Sequence, residues 1–275
     1  MSATVKAATV ALAMLCAAPA WLYGAPRVED DITPVWQSAR SGSAPPCTTI
    51  TRIGAGDNEA CSALPITSLT LAGVALQTGD VLNVWVMDLS GGTFGPNEPT
   101  SVTWGASSLT MTTNASNFVG DFGWSVSGWT MTAGGNATNT ITATIDAADV
   151  VNETALVAEI VRGSITTITA LGSNDDAFGI PIEWGVTPST AGCQMMSLAF
   201  VVNADPGADD VATWDSGFLE GINITIPIGG SCTVANLIFK TGYKISASGN
   251  SPITVGQSGW SGAAEWAGAS IQFKP

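Results

Sequence analysis

Apolar residues in Glu153 to Gly163, ETALVAEIVRG, fall at Ala155 and Val157 on one side and at Leu156, Ala158 and Ile160 on the other. A strand apolar on both faces is one buried between two layers. The preceding TNTITATID (Thr138 to Asp146) alternates strictly, with Ile141, Ala143 and Ile145 on one face and threonines on the other, the period of a half-exposed strand. SITTITALGSNDD follows as a short β-branched run ending in a Gly/Ser/Asn/Asp turn.

The same texture runs from Ile66 to the end. ITSLTLAGVALQTGDVLNVWVMDLS predicts two strands around the turn Gln77 to Asp80. Val81, Asn83, Trp85 and Met87 alternate against Leu82, Val84 and Val86, which marks a central strand. SVTWGASSLTMTT predicts a hairpin around Gly105-Ala106, and FVGDFGWSVSGWTM sets Phe122, Trp124 and Val126 on one face. Met196, Leu198, Phe200 and Val202 mark another apolar strand, and TVANLIFKTGYKIS a strand pair or strand-turn. Ala267, Ala269, Ile271 and Phe273 form a last strand that docks the terminus. The pattern predicts ten to twelve strands and no amphipathic helix after residue 25. The expected fold is all-β, an antiparallel β-sandwich of jelly-roll type over 66–275.

Two segments precede it. Residues 1–25 place Lys6 before an apolar run from Ala7 to Ala17, with Ala18-Pro19-Ala20 as a small-x-small cleavage site. This reads as a signal peptide or, alternatively, as a retained apolar arm packing on a neighbouring subunit. The run is short for a membrane span. Residues 26–65 hold Pro34, Pro45, Pro46, Gly42, Gly54 and Gly56 with little periodicity, and read as a loop-rich arm.

Composition changes this picture in three ways. Charged residues make up 11% of the 275, against about 25% in ordinary domains. So little charge implies neutral polar surface or cover by partners, other copies of the chain first among them. The net charge is −14, and Arg162 is the one basic residue between Ile53 and Phe239. Such a surface repels phosphate backbones and argues against nucleic acid. There is no histidine, which removes His-activated nucleophiles and His-ligated zinc.

The remaining candidates are few. Cys47 and Cys61 bracket a short loop and form one candidate disulfide; Cys193 and Cys232 form the other, leaving Cys16 in the apolar segment. Four cysteines allow three pairings, and buried thiols in a reducing cytoplasm are the alternative. Asp205, Asp209, Asp210 and Asp215 form an acidic loop with oxygen ligands for Ca²⁺, but its spacing fits no EF-hand and a solvated turn is preferred. Asp175-Asp176 and Asp57/Glu59 read the same way. Glu159, Glu183, Glu220 and Glu265 are glycosidase carboxylates in type only; Glu159 is expected to pair with Arg162. No cofactor is indicated. Among ten tryptophans, Trp104, Trp124, Trp129, Trp184 and Trp214 lie near predicted turns, where exposed rings would stack on sugars. Filling the core is the preferred reading for them. The sequons at Asn114, Asn136, Asn152 and Asn223 are expected by chance in so Thr- and Ser-rich a chain.

Three pieces carry a resemblance: VTWGASSLT (Val102 to Thr110), ALVAEIVRG (Ala155 to Gly163) and WSGAAEWAGASIQFKP (Trp260 to Pro275). Together they resemble β-sandwich surface proteins of tailed phages and of secreted proteins from aquatic bacteria, over roughly Ile66 to Pro275. The shared motifs are strand patterns. The resemblance implies a non-enzymatic virion module, such as a capsid decoration protein or head fibre, assembled with copies of itself and neighbouring virion subunits. The alternatives are a secreted surface or filament protein with a cleaved leader and two disulfides, and a carbohydrate-binding module using exposed tryptophans on a host-surface glycan.

Overall fold

The computed structural model describes residues 47–62, 64–91, 98–119, 122–146, 151–176, 182–188, 192–203, 213–228, 234–246, 252–260 and 265–275. They form an all-β protein with every strand pair antiparallel. Among the described residues, no helix is long and apolar enough to cross a membrane.

The first half runs β1 (Thr51–Cys61), β2 (Ser68–Leu76), β3 (Val81–Gly91), β4 (Ser101–Trp104), β5 (Ser107–Ser108), β6 (Thr110–Val119), β7 (Phe122–Thr132), β8 (Ala137–Thr144) and β9 (Val151–Arg162). The second runs β10 (Thr167–Asp176), β11 (Ile182–Val186), β12 (Gln194–Asn203), β13 (Thr213–Trp214), β14 (Leu219–Ile228), β15 (Val234–Ser246), β16 (Ile253–Ser258) and β17 (Glu265–Lys274).

The second half repeats the strand order of the first. Five-stranded sheets run β1-β9-β3-β7-β6 and β10-β17-β12-β15-β14; smaller sheets run β2-β8-β4-β5 and β11-β16-β13. With β5 and β6 counted as one strand interrupted at Leu109, each element has its counterpart at the same place. The register repeats as well. Asn83 faces Glu159 in β9, and its counterpart Ser197 faces Ile271 in β17. The edge strands β1 and β10 both slip register at one site, between Gly54 and Gly56 and between Ala170 and Gly172.

The two large sheets pack face to face, with β1 against β14 and β6 against β10. Their shared core holds Trp85, Met87, Val157, Met195, Phe239, Ile271 and Phe273. The small sheets close the outer faces. Leu82, Val84, Val86, Leu156, Ala158 and Ile160 meet β2, β4 and β8 on one side; Met196, Leu198, Phe200 and Val202 meet β11 and β16 on the other. Four layers thus explain why β3, β9, β12 and β17 are buried on both faces. The β9 expectation holds: from Glu153 to Val161 every residue is buried.

Three expectations need correction. Thr51–Cys61, assigned to the loop-rich arm of 26–65, is an edge strand paired with β9 along its length. Its glycines mask the period because they serve a bulge, where Gly56 takes φ 116. Val234–Ser246 is one continuous strand, not a pair, because Gly242 lies flat under the Trp214 ring. The run from Gly172 to Asp176, expected to be a turn, continues strand β10. Residues 1–46 lie outside the described residues.

Buried charge ties the turn before β3 to the end of β9. The Arg162 guanidinium donates from Nε and Nη2 to the two Asp80 oxygens, both at 2.8 Å, and the Gln77 amide donates to Asp80 Oδ2 at 2.8 Å. Asp80 is buried. The hydrogen bonds from Arg162 hold its carboxyl below the usual range against the opposing effect of burial. A lowered pKa contributes stability that is full above the unfolded value of about 4 and is lost as pH falls through the folded one. We expect Asp80→Asn to be less stable than the parent at pH 7 and to lose less on acidification below about pH 4. Chemical denaturation at a series of pH values checks this; parallel curves would show that Asp80 contributes nothing to acid sensitivity.

Candidate functional site

The candidate carboxylates are dispersed, and most are committed to structural contacts. Glu159 lies in the face-to-face core and accepts from Arg52 Nε at 2.6 Å and from Asn83 Nδ2 at 2.7 Å. Ser197 Oγ, from the second half, donates to the same carboxylate, and Trp85 Nε1 donates to Ser197 Oγ at 2.9 Å. The expected Glu159–Arg162 pair is therefore wrong: Arg162 is taken by Asp80, and Glu159 by Arg52 arriving from β1. Neighbours on opposite sides of a pleat do not meet, and 159 and 162 differ by an odd step. Glu265 accepts from Asn203 at 3.3 Å, and Glu220 lies 3.7 Å from the buried Lys240 ammonium.

Glu183 and Asp215 are brought together. Strands β11 and β13 flank β16, Glu183 sits opposite Gly256, and Asp215 follows Trp214 opposite Gln257. Gly256 has φ 122, and a Cβ there would stand 2.0 Å from the Ile182 carbonyl oxygen, so only glycine allows this close approach. Ser258 Oγ donates to Asp215 Oδ1 at 3.0 Å. Burial, and then the hydrogen-bonded Asp215 carboxyl, push Glu183 above the usual carboxylate range. A raised acid pKa means the folded state holds its proton more tightly, so stability falls as pH rises from about 4 through the folded value. Glu183→Gln is expected to remove that fall. Thermal melts between pH 4 and pH 7 check it; an unchanged slope would show that the pair carries no repulsion.

Of the proposed Ca²⁺ ligands, Asp215 is engaged as above, while Asp205, Asp209 and Asp210 lie outside the described residues. No group of three or more acidic or sulfur ligands with metal-site geometry occurs among the described residues. Asp57, Glu59 and Asp175 are exposed, as expected of solvated positions.

The tryptophans overturn the reading of a five-ring sugar platform. Trp104, Trp124, Trp129 and Trp184 are all buried between sheets. Trp104 Nε1 donates to the Val74 carbonyl at 3.0 Å, and Trp184 stacks on Trp266 at 5.9 Å. Rings near a turn can still point inward when a second layer lies above them. Trp214 alone among the five stays partly exposed. It packs on Phe200, centroids 5.7 Å apart, and Phe200 also meets Trp260 at 6.1 Å. Lys240 Nζ lies 5.5 Å from the Trp260 ring centroid. Sequence reasoning missed Gln257 as the cross-strand neighbour of Trp214, and Phe200 as the ring lying between Trp214 and Trp260, because these contacts arise only from register and stacking.

The disulfide pairing also differs. Cys47 bonds Cys193, Cα atoms 5.2 Å apart, and closes a separation of 146 residues. Cys47–Cys61 is excluded, because the edge strand carries Cys61 away from Cys47 along β9. Cys61 is disulfide-bonded too; Cys232 and Cys16 lie outside the described residues.

Comparisons with protein-family models, with curated proteins and with solved structures find no match for this chain.

Proposed function

We propose that this chain is a non-catalytic structural protein displayed on a surface outside a reducing cytoplasm. The observation that carries this reading is how its interior charge is used. Glu159, the most enclosed carboxylate of the glycosidase candidates, is bound by Arg52, Asn83 and Ser197 and joins the two halves. A carboxylate held by three donors inside a core organises packing and is removed from acid–base work at a substrate.

The strand order supports a jelly roll in each half: first, eighth, third and sixth strands in one sheet, and second, seventh and fourth in the other, with the fifth at the edge of the large sheet, reached in the first half through the short β5 of the small sheet. A Cys47–Cys193 bond favours export, since such bonds persist in oxidising compartments. Among surface roles, we therefore place a secreted bacterial surface or filament protein first and a phage capsid decoration or head fibre second. The low charge and the resemblance over Ile66 to Pro275 support both.

Intact mass of protein purified without reductant, combined with antibody labelling of intact cells and particles, tests this. Surface labelling and a mass reduced by the hydrogens of the disulfides are expected. Protein confined to the cytoplasm with every thiol free would overturn the proposal. Labelling of particles with free thiols would favour the virion form.

A further inference from the structure

Cys61 ends the edge strand β1 and is disulfide-bonded, while Cys47, just before that strand, is taken by Cys193. Two cysteines are left as its partner, Cys16 and Cys232. The stacking of the two large sheets decides between them. Near its start, β1 lies over the start of β14. The Arg52 guanidinium stacks on Tyr243, the register partner of Leu219, and a Cβ on Gly221 would stand 2.8 Å from Arg52 Nη2. The Cys47–Cys193 bond lies further back, since Cys193 precedes Gln194, whose register partner is Ser246. Passing from Cys47 to Arg52 therefore moves along the second sheet from Ser246 towards Tyr243, the direction in which β14 runs. Both strands continue that way, β1 to Cys61 and β14 to Ile228. The connection beyond Ile228 closes at once, because Ile228 and Val234 are register partners. Cys232 is two positions from Val234, so chain length keeps its Cα within ~7 Å of that strand end.

We infer that Cys61 is bonded to Cys232, a second covalent link between the halves at the far end of the β1–β14 edge. Face-packed strands lie about 10 Å apart, whereas bonded cysteines need Cα atoms within about 7 Å. Such a bond therefore forms where the chain leaves a sheet. Cys47–Cys193 does this at one end, and Cys61 with Cys232 repeats it at the other. Cys16 precedes Cys47, which is fixed at the opposite end of β1, roughly 30 Å from Cys61 by the rise of the strand. Bond formation converts two thiols to one disulfide with loss of two protons. The two electrons pass to an external disulfide such as oxidised glutathione, which leaves as two thiols. The two bonds then hold β1 at both ends, and an edge strand is the element most open to pairing with another chain. The inference does not depend on which surface displays the protein.

The test is a tryptic digest, without reductant, of the full chain folded in oxidised and reduced glutathione, with free thiols blocked before unfolding. Cleavage at Arg52, Arg162 and Lys240 puts Cys47 on one fragment, Cys61 on a second, and Cys193 with Cys232 on a third. Mass analysis should find all three in one species that falls apart on reduction. In the Cys47→Ser, Cys193→Ser variant, fragments 53–162 and 163–240 should still travel together. A 53–162 fragment that is free, or joined to the fragment carrying Cys16, would overturn the proposal. Should that variant fail to fold, further cleavage of the parent digest at aspartate decides, since Asp205, Asp209, Asp210 and Asp215 lie between Cys193 and Cys232. Cys61 recovered with Cys232 is the expected result, and Cys61 recovered with Cys193 would overturn the assignment.

Discussion

Replacing Glu159 with alanine should destabilise the protein by about 3–5 kcal/mol, a large part of the 5–15 kcal/mol that holds a typical domain together. The loss comes less from the ion pair itself than from what remains. Arg52 would keep its guanidinium beside the core, stacked at 4.3 Å on the Tyr243 ring, with its carboxylate partner gone. Asn83 and Ser197 would lose a shared acceptor inside the interface between halves. The paired change Arg52→Met with Glu159→Leu removes both charges and should recover most of the loss, since a well-packed apolar pair often matches a buried ion pair. Denaturant midpoints of the two single variants and the double variant decide it. A Glu159→Ala loss below about 1 kcal/mol would place this pair among weak surface bridges.

Removing the Cys47–Cys193 bond should cost about 2–5 kcal/mol, because it constrains an unusually long loop in the unfolded chain. For a protein of this size that corresponds to a melting temperature lower by roughly 4–20 °C. The bond fastens the segment leading into edge strand β1 to the start of the central strand β12, so it ties one half to the other. The effect should appear in the Cys47→Ser, Cys193→Ser double variant and in the parent protein under reductant. If melting does not move in either, the bridge adds nothing to stability and the case for an exported protein weakens with it.

These two devices have something in common: both join halves that repeat one strand order, and neither is visible as a pattern along the chain. Glu159 could be assigned to a buried strand from its neighbours, yet its partner Arg52 lies on an edge strand interrupted by Gly54 and Gly56. Glycines that serve a bulge lower the very periodicity by which a strand is recognised. The cysteines carried no directional information, and the bond formed across 146 residues, not across the short loop. Glu183 and Asp215 met for the same reason, one on β11 and the other just after β13, two strands that flank β16.

What the amino-acid sequence determined by itself was the class of the fold and its buried strands. Alternation in β8 and apolar residues on both faces of β3 and β9 follow from the two-residue period of a pleated strand, which is local. What only the tertiary structure decided was which layer covers each face. Trp104 and Trp184 point inward because small sheets close over the large ones, while Trp214, on a two-residue strand at the margin, keeps part of its ring in solvent. Pairing across sheets depends on register and stacking between residues far apart in the chain, and no local period encodes those.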